Sequence, residues 1–277
     1  MWHSYHAYIH DYSALDRYLR QAFPAFVQER ISPGTDWFFI RYWLGGPHIR
    51  LRIKTDRRFD AETFRAAFSD SIRGFLETET VRLIDYERFY TPEMLKGEGI
   101  QQTYWKRHGS VEHVPYEPEF ERYGGEGRME RSEEVFCISS QLATKLNTMA
   151  FPYRILAAAE LLYWTVRLLK QKGEAAEDDH ARYAWLWSGY RRQEASAIDE
   201  GLWRHIESRT GQAAASGTAP QLYREYLDHV VQLADLPQGV IFSHMHMMNN
   251  RIGVHPELEH ELAAFLSNSK EVLHGEG

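Results

Sequence analysis

This 277-residue sequence lacks the features typical of disulfide-bonded, membrane-spanning and exported proteins. Cys137 is the only cysteine, which excludes an internal disulfide and a cysteine-built metal site. No run of about 18 apolar residues occurs, and the N-terminus has no cationic start followed by an apolar segment. We therefore expect a cytoplasmic protein that is neither exported nor membrane-spanning.

Cationic residues are in deficit as well. The sequence has 32 Lys and Arg against 39 Asp and Glu, which gives a formal net charge of -7. Because nucleic-acid affinity rests largely on neutralising phosphates, this balance argues against a general nucleic-acid binder. A local basic patch stays possible.

Aromatic residues, in contrast, are plentiful. They make up 14% of the sequence and hydrophobic residues 43%, enough for a buried core. We assign the 16 Tyr and 8 Trp mainly to that core, although such rings can also line a groove that binds a peptide. The length fits one large domain or two packed lobes.

The first half of the sequence predicts mixed α and β structure. In order, the patterns indicate a strand at 2–10, a helix to about residue 31, a hairpin at 38–53, a helix at 60–79 and short strands at 81–90 and 103–108. Asp11 or Ser13 can cap the first helix.

The second half predicts helices almost throughout. They are expected at 132–147, 152–173, 180–209 and 220–236, with two more at 237–273 around Gly253 and Pro256, and a flexible loop at 211–220. Pro152 should open its helix and Gly173 should close it. The fold class is therefore α+β, a single domain over 1–277 with an α+β lobe at 1–130 and a helical lobe at 131–277.

An arginine-rich strand is the first candidate site. In "FFIRYWLGGPHIRLRI", residues 38–53, strand alternation puts His48, Arg50 and Arg52 on one face and the intervening apolar residues on the other. With Arg41, six Lys and Arg lie between 41 and 58 against one acid, a density that fits a carboxylate or phosphate site. The ordinary explanation is a solvent-exposed strand edge, which we favour for the hairpin taken alone.

Two further motifs carry titratable groups. In "YEPEFERYGG", 116–125, Glu119 and Arg122 are three apart, so one helical turn would let the acid orient the guanidinium; a surface salt bridge is the alternative. In "SHMHMMNNRIG", 243–253, a helix makes His244 and His246 diverge, which disfavours a shared metal. His246 and Asn250 share a face, and this histidine is either a general acid or base or a structural residue.

Taken together, "WFFIRYWLGGPHIRLR", "YEPEFERYGG" and "HMMNNRIG" resemble the C-terminal elimination domain of the lantibiotic dehydratases, which also occurs as free-standing thiopeptide-type biosynthesis proteins. The resemblance spans nearly the whole chain. It implies an enzyme that expels glutamate from a glutamylated Ser or Thr of a precursor peptide, leaving dehydroalanine or dehydrobutyrine. A separate glutamylation enzyme would supply that substrate.

The resemblance also implies roles for the residues that match its motifs. Arg50, Arg52 and Arg122 would bind the glutamyl group, Glu119 would hold Arg122, and His246 would transfer a proton in an undecided direction. We count Arg52, Arg122 and His246 as catalytic, and as substrate-binding Arg50, Glu119, His48, Arg41 and Asn250. No metal or other cofactor is expected. The expected partner is a precursor peptide with a leader and a glutamylated core, and a homodimer is an open alternative.

Two other functions compete with elimination. Thiopeptide pyridine synthases resemble the same domain but join two dehydroalanines in a formal [4+2] cycloaddition with loss of the leader peptide. The "GGPHIRLR" turn departs from the Asp-Pro-Gly turn of full-length dehydratases, which keeps that alternative open. The second competitor, a non-catalytic peptide-binding subunit, ranks last because the polar residues are present.

Overall fold

The structure is a computed structural model that describes residues 1–97, 99–174, 178–190, 196 and 198–269. It divides into two compact units, Met1–Glu117 and Pro118–Gly277. The described residues form one four-stranded sheet, in the first unit, and twelve α-helices, most of them in the second. The expected α+β class is thereby confirmed, while the assignment of one domain over 1–277 stays a prediction.

The first unit is built on an antiparallel sheet. Its elements are β1 (Trp2–Tyr8), α1 (Tyr12–Gln21), α2 (Phe23–Arg30), β2 (Trp37–Tyr42), β3 (His48–Lys54), α3 (Ala61–Thr78), α4 (Tyr86–Phe89), α5 (Pro92–Gly97) and β4 (Val111–Val114). The strand order is β2-β3-β1-β4, with antiparallel pairing throughout. The arginine-bearing strand β3 is therefore an interior strand, and the exposed-edge explanation of it is wrong.

Helices α2 and α3 cover the apolar face of this sheet. Ile49, Leu51 and Ile53 are at most 1% exposed. On neighbouring strands, the Phe39 ring lies 5.1 Å from that of Phe23, and the Tyr5 hydroxyl donates to the Ala61 carbonyl over 3.1 Å. The alternation predicted for residues 48–53 is confirmed, and it leaves His48, Arg50 and Arg52 on the opposite face.

Some local predictions in the first unit are wrong. The expected single helix after Asp11 breaks at Ala22 into α1 and α2, because Pro24 favours a new helix start. The expected strand at 81–90 is instead loop followed by α4, which Asp85 opens by accepting the Glu87 amide over 3.0 Å. The expected strand at 103–108 is limited to a bridge between Trp105 and Gly45.

The second unit is helical. It contains α6 (Glu126–Asn147), α7 (Phe151–Gln171), α8 (Asp179–Leu186), a 3-10 helix (Ser188–Tyr190), α9 (Glu200–Ser216), α10 (Gln221–Val231), α11 (Gln238–Ile252) and α12 (Pro256–Asn268). Pro152 lies in the first turn of α7, and Gly173 follows its end with φ 76°, as predicted. Trp164 of α7 is 0% exposed, so this helix runs through the core of the unit.

Other helical predictions need correction or lie outside the described residues. The loop expected at 211–220 is helix as far as Ser216, where Gly217 ends α9 with φ 66°. Parts of the helices predicted at 180–209 and 237–273 fall on residues outside the described ranges. Among the residues described, no helix has the length and apolar character needed to cross a membrane.

Candidate active site

Arg50 is held on the polar face of the sheet by an aromatic ring and a histidine. Its guanidinium carbon lies 3.6 Å from the centroid of the Tyr42 ring, close enough for a cation–π contact. Its Nε donates a hydrogen bond to Nε2 of His48 over 3.1 Å. These two contacts fix the guanidinium relative to β2 and β3.

His48 supports Arg50 from within the sheet. The side chain is completely buried, and its Nδ1 donates to the Gly46 carbonyl oxygen over 2.8 Å. Burial, together with the charge of Arg50, lowers the pKa of His48 to about 3, so the ring is neutral and its Nε2 can accept from Arg50. Both ring nitrogens of His48 are hydrogen-bonded, and its side chain has no exposed surface. His48 therefore contacts Arg50 rather than a substrate.

Arg52 lies between two aromatic rings. Its guanidinium carbon is 5.2 Å from the Phe38 centroid and 5.1 Å from the Tyr116 centroid, and the residue is only 8% exposed. Burial lowers the pKa of nearby His6 to about 2, and the charge of Arg50 acts in the same direction. The histidines of this face are therefore neutral, and its positive charge resides on the arginines.

The structure does not bring Arg41 to the polar face. Arg41 pairs in register with Ile49, so its side chain leaves the sheet on the side covered by helices. There its Nη2 lies 2.9 Å from the Asp16 carboxylate of α1. The count of cations between 41 and 58 therefore overstates the charge on the polar face.

In the second unit, Glu119 and Arg122 form the predicted pair. Nη1 of Arg122 lies 3.2 Å from Oε2 of Glu119, with Arg122 34% and Glu119 55% exposed at the side chain. Nε of Arg122 also donates to the Ser243 hydroxyl of α11 over 3.3 Å. The guanidinium is thus held from two sides, which an isolated surface ion pair would not achieve.

His246 lies one helical turn beyond Ser243 on α11. Residues three apart on a helix are neighbours on its surface, so the same side of α11 presents His246 and the serine that binds Arg122. The Trp187 ring lies 4.3 Å from the imidazole, and 14% of the His246 side chain is exposed. The second unit therefore brings three predicted residues to one region: Glu119, Arg122 and His246.

A buried carboxylate that was not predicted lies behind His246. Oε1 of Glu259, on α12, is 2.7 Å from Nδ1 of the imidazole, and Glu259 is 0% exposed. Its Oε2 accepts from Nδ2 of Asn249 over 3.0 Å and from the Tyr183 hydroxyl. One signal of it exists in the sequence, because Glu259 falls on the apolar stripe of α12 that includes Leu262 and Leu266.

His244 has a structural environment, as expected if the two histidines diverge. It is 1% exposed, its Nε2 lies 3.1 Å from the Ser132 hydroxyl, and burial lowers its pKa to about 3. Within the described ranges, no group of three or more His, Cys, Asp and Glu side chains could hold a metal ion. Asn250 lies on the same side of α11 as His246, and its proposed contact with substrate stays a prediction.

Solved structures share this architecture. The pyridine synthase TbtD from thiomuracin biosynthesis is similar over 99% of both chains, with 15% identity and a TM-score of 0.67. TsrL is similar over 98% of this chain and 95% of its own, with 14% identity and a TM-score of 0.61. The tRNA-dependent lantibiotic dehydratase MibB from Microbispora sp. 107891 matches 97% of this chain but 28% of its own, with 19% identity and a TM-score of 0.44.

The sequence itself places the chain in a family. No curated protein matches it. In contrast, the family model described as "Lantibiotic biosynthesis dehydratase C-term" matches residues 2–269, nearly the whole chain. The resemblance carried by the three sequence motifs is thereby confirmed, and the chain belongs to the lantibiotic biosynthesis dehydratase C-terminal family.

Proposed function

We propose that this protein eliminates glutamate from glutamylated Ser or Thr residues of a precursor peptide. The observation that carries the proposal is the partly exposed His246 one helical turn from Ser243, which binds Arg122. A proton-transferring imidazole beside a fixed cation suits a reaction that breaks a C–H bond while negative charge develops.

The reaction makes two demands on the second unit. A base must take the Cα proton of the esterified residue. The electron pair of the broken Cα–H bond then forms the Cα–Cβ double bond, as the Cβ–O bond breaks and glutamate leaves as a carboxylate. His246 has the chemistry for this proton transfer, and Arg122 for stabilising the enolate-like charge on the adjacent carbonyl. Glu119 keeps Arg122 oriented through the 3.2 Å contact.

The first unit offers carboxylate-binding groups. Arg50 is held by the Tyr42 ring and neutral His48, and Arg52 by the rings of Phe38 and Tyr116, so their positions are set before any substrate binds. Arginine binds carboxylates through paired N–H donors. A glutamyl group carries one free carboxylate, and its ester carboxyl becomes a second carboxylate when the Cβ–O bond breaks. We assign to Arg50 and Arg52 the binding of the glutamyl group, and to His48 the support of Arg50.

The substrate would be a precursor peptide with a leader and a glutamylated core, supplied by a separate glutamylation enzyme. The net charge of -7 agrees with a protein that does not itself bind tRNA. We place the reaction in the cytoplasm because the ester is made from glutamyl-tRNA in this family.

Cyclisation is the second candidate. The pyridine synthase TbtD is similar in fold over 99% of this chain. At 15% identity, this similarity concerns the fold and not the reaction. Joining two dehydroalanines involves no glutamyl group, so it gives no evident task to an arginine pair such as Arg50 and Arg52. The polar residues therefore support elimination over cyclisation.

Two substrates separate these candidates. We expect a glutamylated precursor peptide to lose glutamic acid when incubated with the protein, as recorded by mass spectrometry. A matched peptide that already carries dehydroalanines should stay unchanged. If only the second peptide reacts, and a macrocycle and a free leader peptide appear, the proposed elimination is wrong.

A further inference from the structure

We propose that Glu259 is a positioning residue that holds the imidazole of His246 with its proton on Nδ1, which leaves Nε2 as the nitrogen that exchanges a proton with the substrate. The inference rests on the proposed function for its catalytic consequence. The protonation pattern itself is a property of the free protein and can be measured without any substrate.

The contact between the two side chains defines the direction of the hydrogen bond. Oε1 of Glu259 lies 2.7 Å from Nδ1 of His246. An ionised carboxylate can only accept hydrogen bonds, so Nδ1 must carry the proton that joins them. In a neutral imidazole the lone pair then lies on Nε2.

Three donors hold the carboxylate of Glu259. Besides His246, Nδ2 of Asn249 donates to Oε2 over 3.0 Å and the Tyr183 hydroxyl donates to the same oxygen. Burial, followed by the charge of Glu259, raises the pKa of Tyr183 well above its usual value, so this phenol stays protonated as a donor. A completely buried carboxylate is costly unless such bonds satisfy it, and here they also fix its orientation.

The ring plane of His246 is fixed independently. Trp187 lies 4.3 Å from the imidazole, with the two rings inclined at 33°. Nδ1 points inward to a group that is 0% exposed, whereas 14% of the His246 side chain reaches the surface. The imidazole is thus packed on one face and bonded on its inner edge, so that Nε2 is the nitrogen a substrate can approach.

Nuclear magnetic resonance of ring-15N-labelled histidine tests the protonation pattern directly. At alkaline pH, where imidazoles are neutral, we expect the His246 signals of the wild-type protein to show protonated Nδ1 and unprotonated Nε2. His246→Gln assigns the signals. In Glu259→Gln we expect a shift toward protonated Nε2, because an amide can either accept from or donate to Nδ1.

Glu160 provides the matched control. It is another buried carboxylate of the second unit, and it accepts from the Tyr223 hydroxyl over 2.8 Å and from Nε of Arg209 over 2.9 Å. Glu160→Gln should cost stability in a similar way but leave the His246 signals and the turnover rate unchanged.

Kinetics provides the second readout. We expect Glu259→Gln to lower kcat by about 10- to 100-fold while KM stays within about twofold, because Glu259 acts through His246 and does not touch the substrate. Glu259→Asp, which keeps the charge, should recover part of that loss.

Two results would overturn the inference. One is a wild-type His246 with protonated Nε2 and unprotonated Nδ1; the other is a Glu259→Gln protein whose His246 signals and kcat both match wild type. A wild-type protein that does not eliminate glutamate removes the proposed function, yet the spectra still decide the role of Glu259. If Glu259→Gln does not fold, the wild-type spectrum alone supports or overturns the assignment.

Discussion

Individual side chains of the polar face owe their properties to their neighbours. Arg50 is a donor to a neutral His48, and Arg52 is placed between Phe38 and Tyr116. These contacts set the guanidinium positions in the absence of substrate, which lowers the entropy lost on binding. The arginines are therefore better suited to bind a carboxylate than flexible surface cations would be.

The geometry of the Arg52 guanidinium is open to a direct test. Arg52→Lys keeps the charge but loses the planar donor pair, so we expect kcat/KM for a glutamylated peptide to fall about 10- to 100-fold, the equivalent of one charge-assisted hydrogen bond. Steady-state kinetics measures this. Arg17 pairs with Glu79 in the same unit, so Arg17→Lys serves as the control, and its kcat/KM should match that of the wild-type protein. Equal rates in Arg52→Lys and wild type would remove Arg52 from substrate binding.

Buried neutral histidines predict a dependence of stability on pH. Burial lowers the pKa of His48 in the folded state to about 3, well below the 6.5 of an unperturbed histidine, so between these two pH values only the unfolded chain binds the proton. The contribution of neutral His48 to the free energy of unfolding is therefore fully present above pH 6.5 and is lost as the pH falls toward 3. His244, with a pKa of about 3, adds in the same direction.

Urea unfolding between pH 7 and pH 4.5 measures this effect. We expect the free energy of unfolding to fall on acidification, by up to about 1.4 kcal/mol per pH unit for each such histidine below its unfolded-state pKa. In His48→Gln, the free energy of unfolding should fall less steeply with pH, because the contribution of one histidine is missing. A free energy of unfolding that is constant over this range would contradict the buried neutral state.

At the level of residues, motifs in the sequence mark candidate site residues but not the contacts that packing creates. Arg50, Arg52, Glu119, Arg122 and His246 follow from spacing and family resemblance. Glu259 was missed because its partner lies 13 residues earlier on another helix, and a glutamate on an apolar stripe is the only local sign. The support that His48 gives to Arg50 depends on the burial of His48 and on its contact with Arg50, which the sequence does not show.

Among the helices and strands, α9 shows a strong local preference that overrides a loop-like composition. "GQAAASG" contains two glycines, which favoured a loop, but alanine is the best helix former and the helix continues to Ser216. Gly217 then ends it in the left-handed region. The loop prediction gives both glycines the same weight, although only Gly217 ends the helix.

The two glycines of α9 should respond to alanine with opposite signs. Gly211→Ala meets no atom within 4 Å of its new Cβ, and it should raise the free energy of unfolding by about 1 kcal/mol through helix propensity. Gly217→Ala at φ 66° should lower it by about 1–2 kcal/mol, since the left-handed conformation is costly for alanine. Urea unfolding of both variants checks this, and equal signs would contradict the observed end of α9.

The strands show the limit of reading short segments from sequence. The hairpin strands β2 and β3 were predicted because alternation and a glycine turn agree, and Gly46 has φ 99° in that turn. Strand β4 has only four residues, too few for a period to be visible, and it forms by pairing with β1. Its existence depends on a partner distant in sequence, which no local pattern reports.

For the whole molecule, the family resemblance extends over both compact units. The match covers residues 2–269, and each unit carries part of the predicted polar set. Composition alone indicates a globular chain and argues against nucleic-acid binding, whereas the proposed reaction is implied only by the family resemblance that the three motifs carry. The family is therefore established for residues 2–269.

The proposed elimination of glutamate can be tested by a quenched time course with a glutamylated precursor peptide, in which free glutamate and dehydrated peptide are both quantified. We predict that the wild-type protein releases one glutamate for each dehydroamino acid formed, and that His246→Ala forms neither product above background. Release of glutamate with return of the original Ser or Thr would indicate ester hydrolysis instead. That result, or an unchanged peptide, would contradict the elimination proposed for this protein.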